Sequence, residues 1–227
     1  MIADNLRHVE KLISLAARKT GRNPAEIQLV AVSKRFPAEA ICEAYAAGQR
    51  CFGENYVQEL CDKKHMVPAA VRFHFIGHLQ TNKAKLAAEN CDMVESVDRL
   101  KLARALHHHL LENGRRLDIL IQVNVGEDPK KSGVGSGDAA ELLRQIKQLD
   151  TLRVRGLMTM PPLVDDPEES RPCFRQLRQL AARLQKLGLL PADKIELSMG
   201  MSSDFDIAIA EGATIVRVGT AIFGERQ

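Results

Sequence analysis

Eight short runs, most of them rich in Val, Ile or Phe, recur along this chain with helical patterns between them, and that alternation restricts the fold more than any other feature. The runs cover residues 28–33, 50–53, 71–76, 93–97, 117–125, 154–158, 194–198 and 214–218. Helical spacing of apolar residues marks 6–19, 37–47, 82–90, 99–112, 138–149, 168–187 and 204–211, with Gly21, Gly48, Gly114, Gly188 and Gly212 as stop signals. Strands that read as continuous apolar runs are buried on both faces, which is the condition of a parallel sheet covered by helices. Eight of them predict closure as an α/β single (β/α)8 TIM-type barrel with an additional N-terminal helix, one domain spanning residues 1–227. The runner-up, an open doubly wound sheet, lacks its glycine fingerprint: Ser33-Lys34-Arg35-Phe36 stands where the glycines belong. The segment 161–167, with three prolines and two aspartates, predicts a surface loop after the sixth run.

Composition removes several function classes. A formal charge of +3 with only short basic clusters argues against nucleic acid as a partner. No stretch approaches a membrane span, and the first residues have neither the basic start nor the apolar core of a signal peptide, so a cytoplasmic location is expected. Five cysteines without a CxxC pair argue against a disulfide framework or a cysteine zinc site; Cys51 and Cys42 read as buried thiols. The run His107-His108-His109 lies in a helical pattern, where consecutive residues point in different directions, so no metal site is expected there. His74 and His78 sit on a strand and its loop rather than on one helix face, and are not expected to form a metal pair either.

In a barrel of this kind chemistry gathers at the C-terminal ends of the strands. The first run ends in Lys34, an amine at the rim of a sheet, where desolvation disfavours the ammonium form and frees a nucleophile; the alternative is a solvated charge closing a strand. Other run ends supply Asn55, Asn124, Met158-Thr159-Met160 and Ser198 through Ser203, and the last supplies Arg217, Gly219 and Thr220. Gly219-Thr220 and the serines after the seventh run form a candidate anion cradle, since phosphate sites in such barrels lie after strands seven and eight. Ser203 has a second reading, as the cap of the helix that follows. An amine facing an anion cradle points to a phosphorylated aldehyde.

Six motifs carry a resemblance across nearly the whole chain: Ala31-Val32-Ser33-Lys34, Phe52-Gly53-Glu54-Asn55-Tyr56-Val57-Gln58-Glu59, the run from His74 to Lys83, Arg155-Gly156-Leu157-Met158, Leu197-Ser198-Met199-Gly200-Met201-Ser202, and the run from Val216 to Gly224. In these the sequence resembles the pyridoxal phosphate homeostasis protein family, the YggS-like proteins; His78 stands where some relatives carry proline. The resemblance implies a barrel of the alanine racemase N-terminal type that binds pyridoxal 5'-phosphate (PLP) as a Schiff base and serves vitamin B6 homeostasis without an established turnover. By motif, Lys34 is implied as the Schiff-base lysine and Ser198, Gly219 and Thr220 as phosphate ligands. Arg217 is implied at the pyridine nitrogen, and Asn55 and Met158 on the ring pocket.

Arg217 separates carrier from enzyme. A guanidinium stays charged and only donates, so facing the ring nitrogen it keeps that nitrogen unprotonated and weakens the cofactor as an electron sink. The alternative is that Arg217 pairs with a carboxylate on the barrel wall. The chain's end, nine residues past Val218, implies that the extra domain of alanine racemases is absent. These readings favour a PLP carrier, acting as a monomer, with apo PLP-dependent enzymes as recipients. A slow PLP-dependent amino-acid racemase or related enzyme is the alternative, and a Schiff-base aldolase on a phosphosugar the third. Met158, Met160, Met199 and Met201 read as apolar lining near the mouth.

Overall fold

In a computed structural model, which describes residues 1–126, 128, 131–162 and 164–225, the strands are β1 (Gln28–Val32), β2 (Cys51–Glu54), β3 (Arg72–Phe75), β4 (Met93–Val97), β5 (Leu117–Asn124), β6 (Val134–Gly135), β7 (Leu152–Met158), β8 (Glu196–Ser198) and β9 (Ile215–Val218). Neighbours run parallel in the order β4-β3-β2-β1-β9-β8-β7-β5, and a β4–β5 pairing closes the ring of eight. The two-residue β6, which hydrophobic patterning cannot reveal, hangs on the end of β5. The chain therefore folds as an α/β barrel of TIM type.

The helices are α1 (Ile2–Lys19), α2 (Ala38–Ala46), α3 (Val57–Lys64), α4 (Ala84–Asn90), α5 (Leu100–Glu112), α6 (Ala139–Ile146), α7 (Arg171–Lys186), α8 (Phe205–Ala210) and α9 (Thr220–Phe223). The added helix α1 buries Leu6, Val9, Ile13 and Ala17, one stripe at helical spacing, and packs on α2, α8 and α9. Just beyond it, Arg22 donates to the carbonyls of Ile209 and Ala213, satisfying the C-terminal end of α8. Neither α3 nor α9 is visible in the periodicity: α9 has only four residues, and one of the three buried positions of α3 is a lysine. Leu163 of the proline-rich loop lies outside the described residues.

Two apolar clusters follow from the alternation of side chains along each strand. The larger, which includes Leu29, Ala31, Phe52, Phe73, Val94, Ile119, Leu157 and Val216, fills the layer between strands and helices. The smaller takes Val30, Cys51, Met93, Leu120, Met158 and Ile215, one from each of six strands, and fills the lumen of the ring. Gly156 is set by close approach: a Cβ there would stand 1.8 Å from the Glu196 carbonyl oxygen on the paired strand β8. Gly156→Ala is therefore expected to push β7 from β8 and lower the thermal midpoint by roughly 5–10 °C, taking about 2–3 kcal/mol for a strained core insertion. A melt indistinguishable from that of the parent protein would overturn this.

Candidate functional site

The parity of β1 puts Val30 and Val32 toward the lumen, and Lys34, on the turn that follows, continues that face. The same parity on β2 brings Asn55 to the mouth, and on β9 it turns Ile215 and Arg217 inward. These residues line one cavity of about 250 Å³ at the C-terminal ends of the strands, together with Met160, Met201, Ser202, Ser203, Gly219 and Thr220. Five of the seven residues singled out from sequence thus share one cavity wall: Lys34, Asn55, Arg217, Gly219 and Thr220. A second cavity of about 530 Å³ adjoins it across Asn55, lined among others by Tyr56, His78, Gln80 and Lys83.

Ser198 and Met158 stand elsewhere. Both are fully buried in the lumen beneath that cavity, because each is an inward-facing last residue of its strand rather than part of the loop above it. Ser198 Oγ donates to Glu95 Oε2 at 2.5 Å and accepts from Arg217 Nη1 at 2.5 Å. The exposed hydroxyls at the mouth are those of Ser202, Ser203 and Thr220. Ser202 and Ser203 sit on a turn held from below, where Asp204 Oδ1 accepts from the Met201 N–H at 2.6 Å and the Arg217 N–H donates to the Gly200 carbonyl at 3.1 Å, while Thr220 opens α9. Asp204, not Ser203, occupies the N-cap position of α8, so the capping alternative for Ser203 does not apply. The methionines divide likewise: Met160 and Met201 line the cavity, Met158 and Met199 are buried.

The floor is ionic. Arg217 is 3 % exposed, donates through Nη2 to the Thr159 carbonyl at 3.0 Å, and has Nη1 4.0 Å from Glu95 Oε2. Burial lowers the Arg217 pKa, opposed by the charges of Glu95 and Asp204. Glu95 is fully buried on β4 and contacts His74 Nδ1 on β3 at 2.6 Å. Burial opposes its charge, but the His74 hydrogen bond and charge, with Arg217 and Ser198, hold Glu95 below the usual carboxylate range. For His74 burial again opposes charge, and the neighbouring Cys51 and Glu95 hold its pKa up at about 10. The structure thus bears out the reading of Arg217 beside a barrel-wall carboxylate, and the same residue also lines the cavity. The chain His74–Glu95–Ser198–Arg217 was missed from sequence; its signal is a charged residue in the middle of three buried strands, which must find partners.

Behind β1 and β2, on the face away from the lumen, lies a second charged group. Lys63 of α3, 7 % exposed, donates to Glu54 Oε1 at 2.7 Å, Glu59 Oε1 at 2.7 Å and the Ser33 carbonyl at 2.8 Å. Burial raises the Glu54 pKa, with Lys63 and Ser33 pulling it down.

The histidine run corrects an expectation. His108 Nε2 and His109 Nδ1 both approach Glu112, at 3.4 and 3.0 Å, so two adjacent histidines converge on one carboxylate instead of diverging. The i+3 and i+4 spacings both reach the same long side chain. Cys51 is buried as expected; Cys42 is only partly so, and among the described residues all five thiols are free. Among the described residues no helix is long and apolar enough to cross a membrane.

Comparison with known proteins adds to this geometry. The family model described as alanine racemase, N-terminal domain, matches residues 5–227. The pyridoxal phosphate homeostasis protein of Escherichia coli (strain K12) is 45% identical over 230 residues, covering 100% of this chain and 97% of that protein. Its counterpart in Vibrio cholerae is 45% identical over 232 residues, covering 100% of this chain and 97% of that protein. The solved structure of PipY from Synechococcus elongatus PCC7942 with PLP bound superposes with a TM-score of 0.86 at 41% identity, covering 99% of this chain and 100% of that one.

Proposed function

This chain belongs to the pyridoxal phosphate homeostasis protein family, within the alanine racemase N-terminal-domain fold, and on that premise we propose that it binds PLP at the barrel mouth and helps keep the cellular supply of vitamin B6 in balance. The observation that carries the reading is a single cavity whose wall combines the Lys34 amine, the hydroxyls of Ser202, Ser203 and Thr220, and the Arg217 guanidinium. PLP supplies an electrophilic aldehyde, which a lysine amine holds as a Schiff base, and a phosphate that seeks hydrogen-bond donors. The donor set fits that group.

In this reading Lys34 is the Schiff-base lysine. Ser202, Ser203 and Thr220 hold the phosphate with the backbone at Gly219, where a side chain would crowd Val32. Asn55 lines the ring pocket, and Arg217 faces the ring nitrogen as a donor. Ser198 serves by fixing Arg217, and Met158 by filling the lumen below. A guanidinium in that place leaves the cofactor a weak electron sink, which favours holding and handing on PLP over turnover. We assign the whole barrel to this one role, as a cytoplasmic monomer that delivers PLP to apo enzymes.

The test is a titration of the purified protein with PLP, followed by borohydride reduction, peptide mapping, and an assay of α-hydrogen exchange in amino acids. One reduced adduct on Lys34, with exchange no faster than free PLP produces, is the expected result. Adducts scattered over surface lysines would sink the cofactor reading, and rapid exchange would make the protein an enzyme. Ser203→Ala and Thr220→Val are each expected to weaken PLP about tenfold, the effect of one hydrogen bond to a charged group. Binding of pyridoxal, which lacks the phosphate, should not change; an equal loss for both ligands would move the phosphate elsewhere.

A further inference from the structure

Lys34 is followed by Arg35 at φ 65°, which among the described residues is the only non-glycine in the left-handed region. That conformation is unfavourable for a residue with a Cβ and persists only where its surroundings impose it. The surroundings are specific. The Arg35 N–H, in the peptide after Lys34, donates to Glu59 Oε1 at 2.5 Å. The Ser33 carbonyl, in the peptide before Lys34, accepts from Lys63 Nζ at 2.8 Å. Lys63 also binds Glu59 and Glu54, and the Ser33 hydroxyl donates to Glu54 Oε1 at 2.7 Å. One ionic group therefore grips both peptides that flank Lys34, from the side of the strand opposite the cavity. Glu54 is fully buried, and its Oε2 has no hydrogen-bond partner, so this carboxylate gains less from its setting than an optimised fold would allow.

We propose that Lys63, with Glu54 and Glu59, is a positioning unit that holds the Lys34 turn in its left-handed form and so aims the Lys34 amine into the cavity. The proposal rests on the reading of Lys34 as the PLP lysine. Lys63 and Glu59 sit on α3, so this short helix carries the device and couples the second strand-helix unit to the end of the first. None of the three residues lines the cavity. They act through the backbone of residues 33–35 and are not catalytic residues.

The experiment compares Lys63→Met, Glu59→Ala, Glu59→Gln and the double variant Glu59→Ala with Arg35→Gly. PLP affinity is read by titration. In the cofactor-free protein, the environment of Lys34 is read as the NMR resonance of its ¹³C-methylated amine, assigned by its absence in Lys34→Ala. Losing the grip should release the left-handed turn, so Lys63→Met and Glu59→Ala are expected to weaken PLP about tenfold, the factor such a backbone preference commands. Both should also move the Lys34 resonance toward that of a free lysine. Glu59→Gln keeps the acceptor and should stay near the parent protein. Arg35→Gly removes the strain and should restore most of the affinity lost in Glu59→Ala. Glu59 is partly exposed, so its variants test the idea even if Lys63→Met fails to fold. A parent-like affinity and resonance in Glu59→Ala, or no rescue by glycine, would overturn the positioning role while leaving PLP on Lys34. An absent Lys34 adduct in the unaltered protein would overturn the cofactor reading, and this proposal with it.

Discussion

Replacing Lys34 by alanine is expected to abolish the imine absorbance and the borohydride-fixed adduct, and to weaken apparent PLP affinity by at least about a hundredfold, or roughly 2.8 kcal/mol at tenfold per 1.4. The loss is that large because the covalent bond goes while the hydroxyls at Ser202, Ser203 and Thr220 remain. Lys34→Arg distinguishes charge from chemistry. It keeps a cation at the mouth but offers no amine that loses its proton, so it should also lack the adduct while retaining weak phosphate-dependent binding. Lys34 is half-buried at a turn, and neither variant should shift thermal stability by more than about 0.5 kcal/mol. An adduct that survives in Lys34→Ala, at one defined lysine, would place the cofactor elsewhere.

The largest stability effect should come from Glu95. Removing its carboxylate leaves the His74 and Arg217 cations in the lumen without the group that compensates them. Breaking a buried pair from one side costs about 3–5 kcal/mol, so Glu95→Ala should lower the thermal midpoint by roughly 10 °C or prevent folding. Glu95→Gln keeps the shape and an acceptor for Ser198 or Arg217, and should fold well enough to be titrated.

The pH dependence follows from the same group. The His74 pKa is raised in the folded protein, to about 10, so its contribution to stability is complete below the unfolded value of about 6.5 and is lost as pH rises through about 10. The Glu95 pKa is lowered, so its contribution is present above the ordinary carboxylate range and is lost as pH falls through the depressed value. Thermal midpoints should therefore decline progressively as pH rises from about 6.5, with the His74 contribution gone by about pH 10. In Glu95→Gln, where His74 has lost its carboxylate and its folded-state pKa drops, the alkaline fall should be smaller and end at lower pH. A parent protein as stable at pH 10.5 as at pH 7 would remove the charged His74 from this account.

Arg217 joins the two predictions. It lines the cavity wall and is held by Ser198, Thr159 and Glu95 from below. Glu95→Gln should therefore weaken the hold on the guanidinium even where the cavity wall is otherwise unchanged. A parallel change in PLP affinity would tie the lumen network to the site.

Much of this molecule is written locally in its chain. The eight runs became the eight strands of the ring, within a few residues at each end, because a strand buried on both faces needs an unbroken apolar stretch. The stops at Gly21, Gly48, Gly114, Gly188 and Gly212 hold because each has a positive φ that other residues resist. Lys34, Asn55, Gly219 and Thr220 could be found because they interrupt or follow such stretches at the strand ends, where a barrel keeps its chemistry.

Other features required the closed ring. In a strand buried on both sides, lumen-facing and helix-facing positions both take apolar residues, so apolar patterning does not mark which parity points inward. That is why Ser198 and Met158 could be placed at the right strand ends yet sit beneath the cavity rather than in its wall. The contacts among His74, Glu95, Ser198 and Arg217 join β3, β4, β8 and β9 across the lumen. The grip on Lys34 likewise depends on α3, a helix of eight residues with too few apolar positions to announce itself. Local propensity and patterning thus determined the elements, their order and the rim on which the amine stands. Only closure decided which buried charges meet, because pairing across a barrel depends on register and shear, and no single segment contains either.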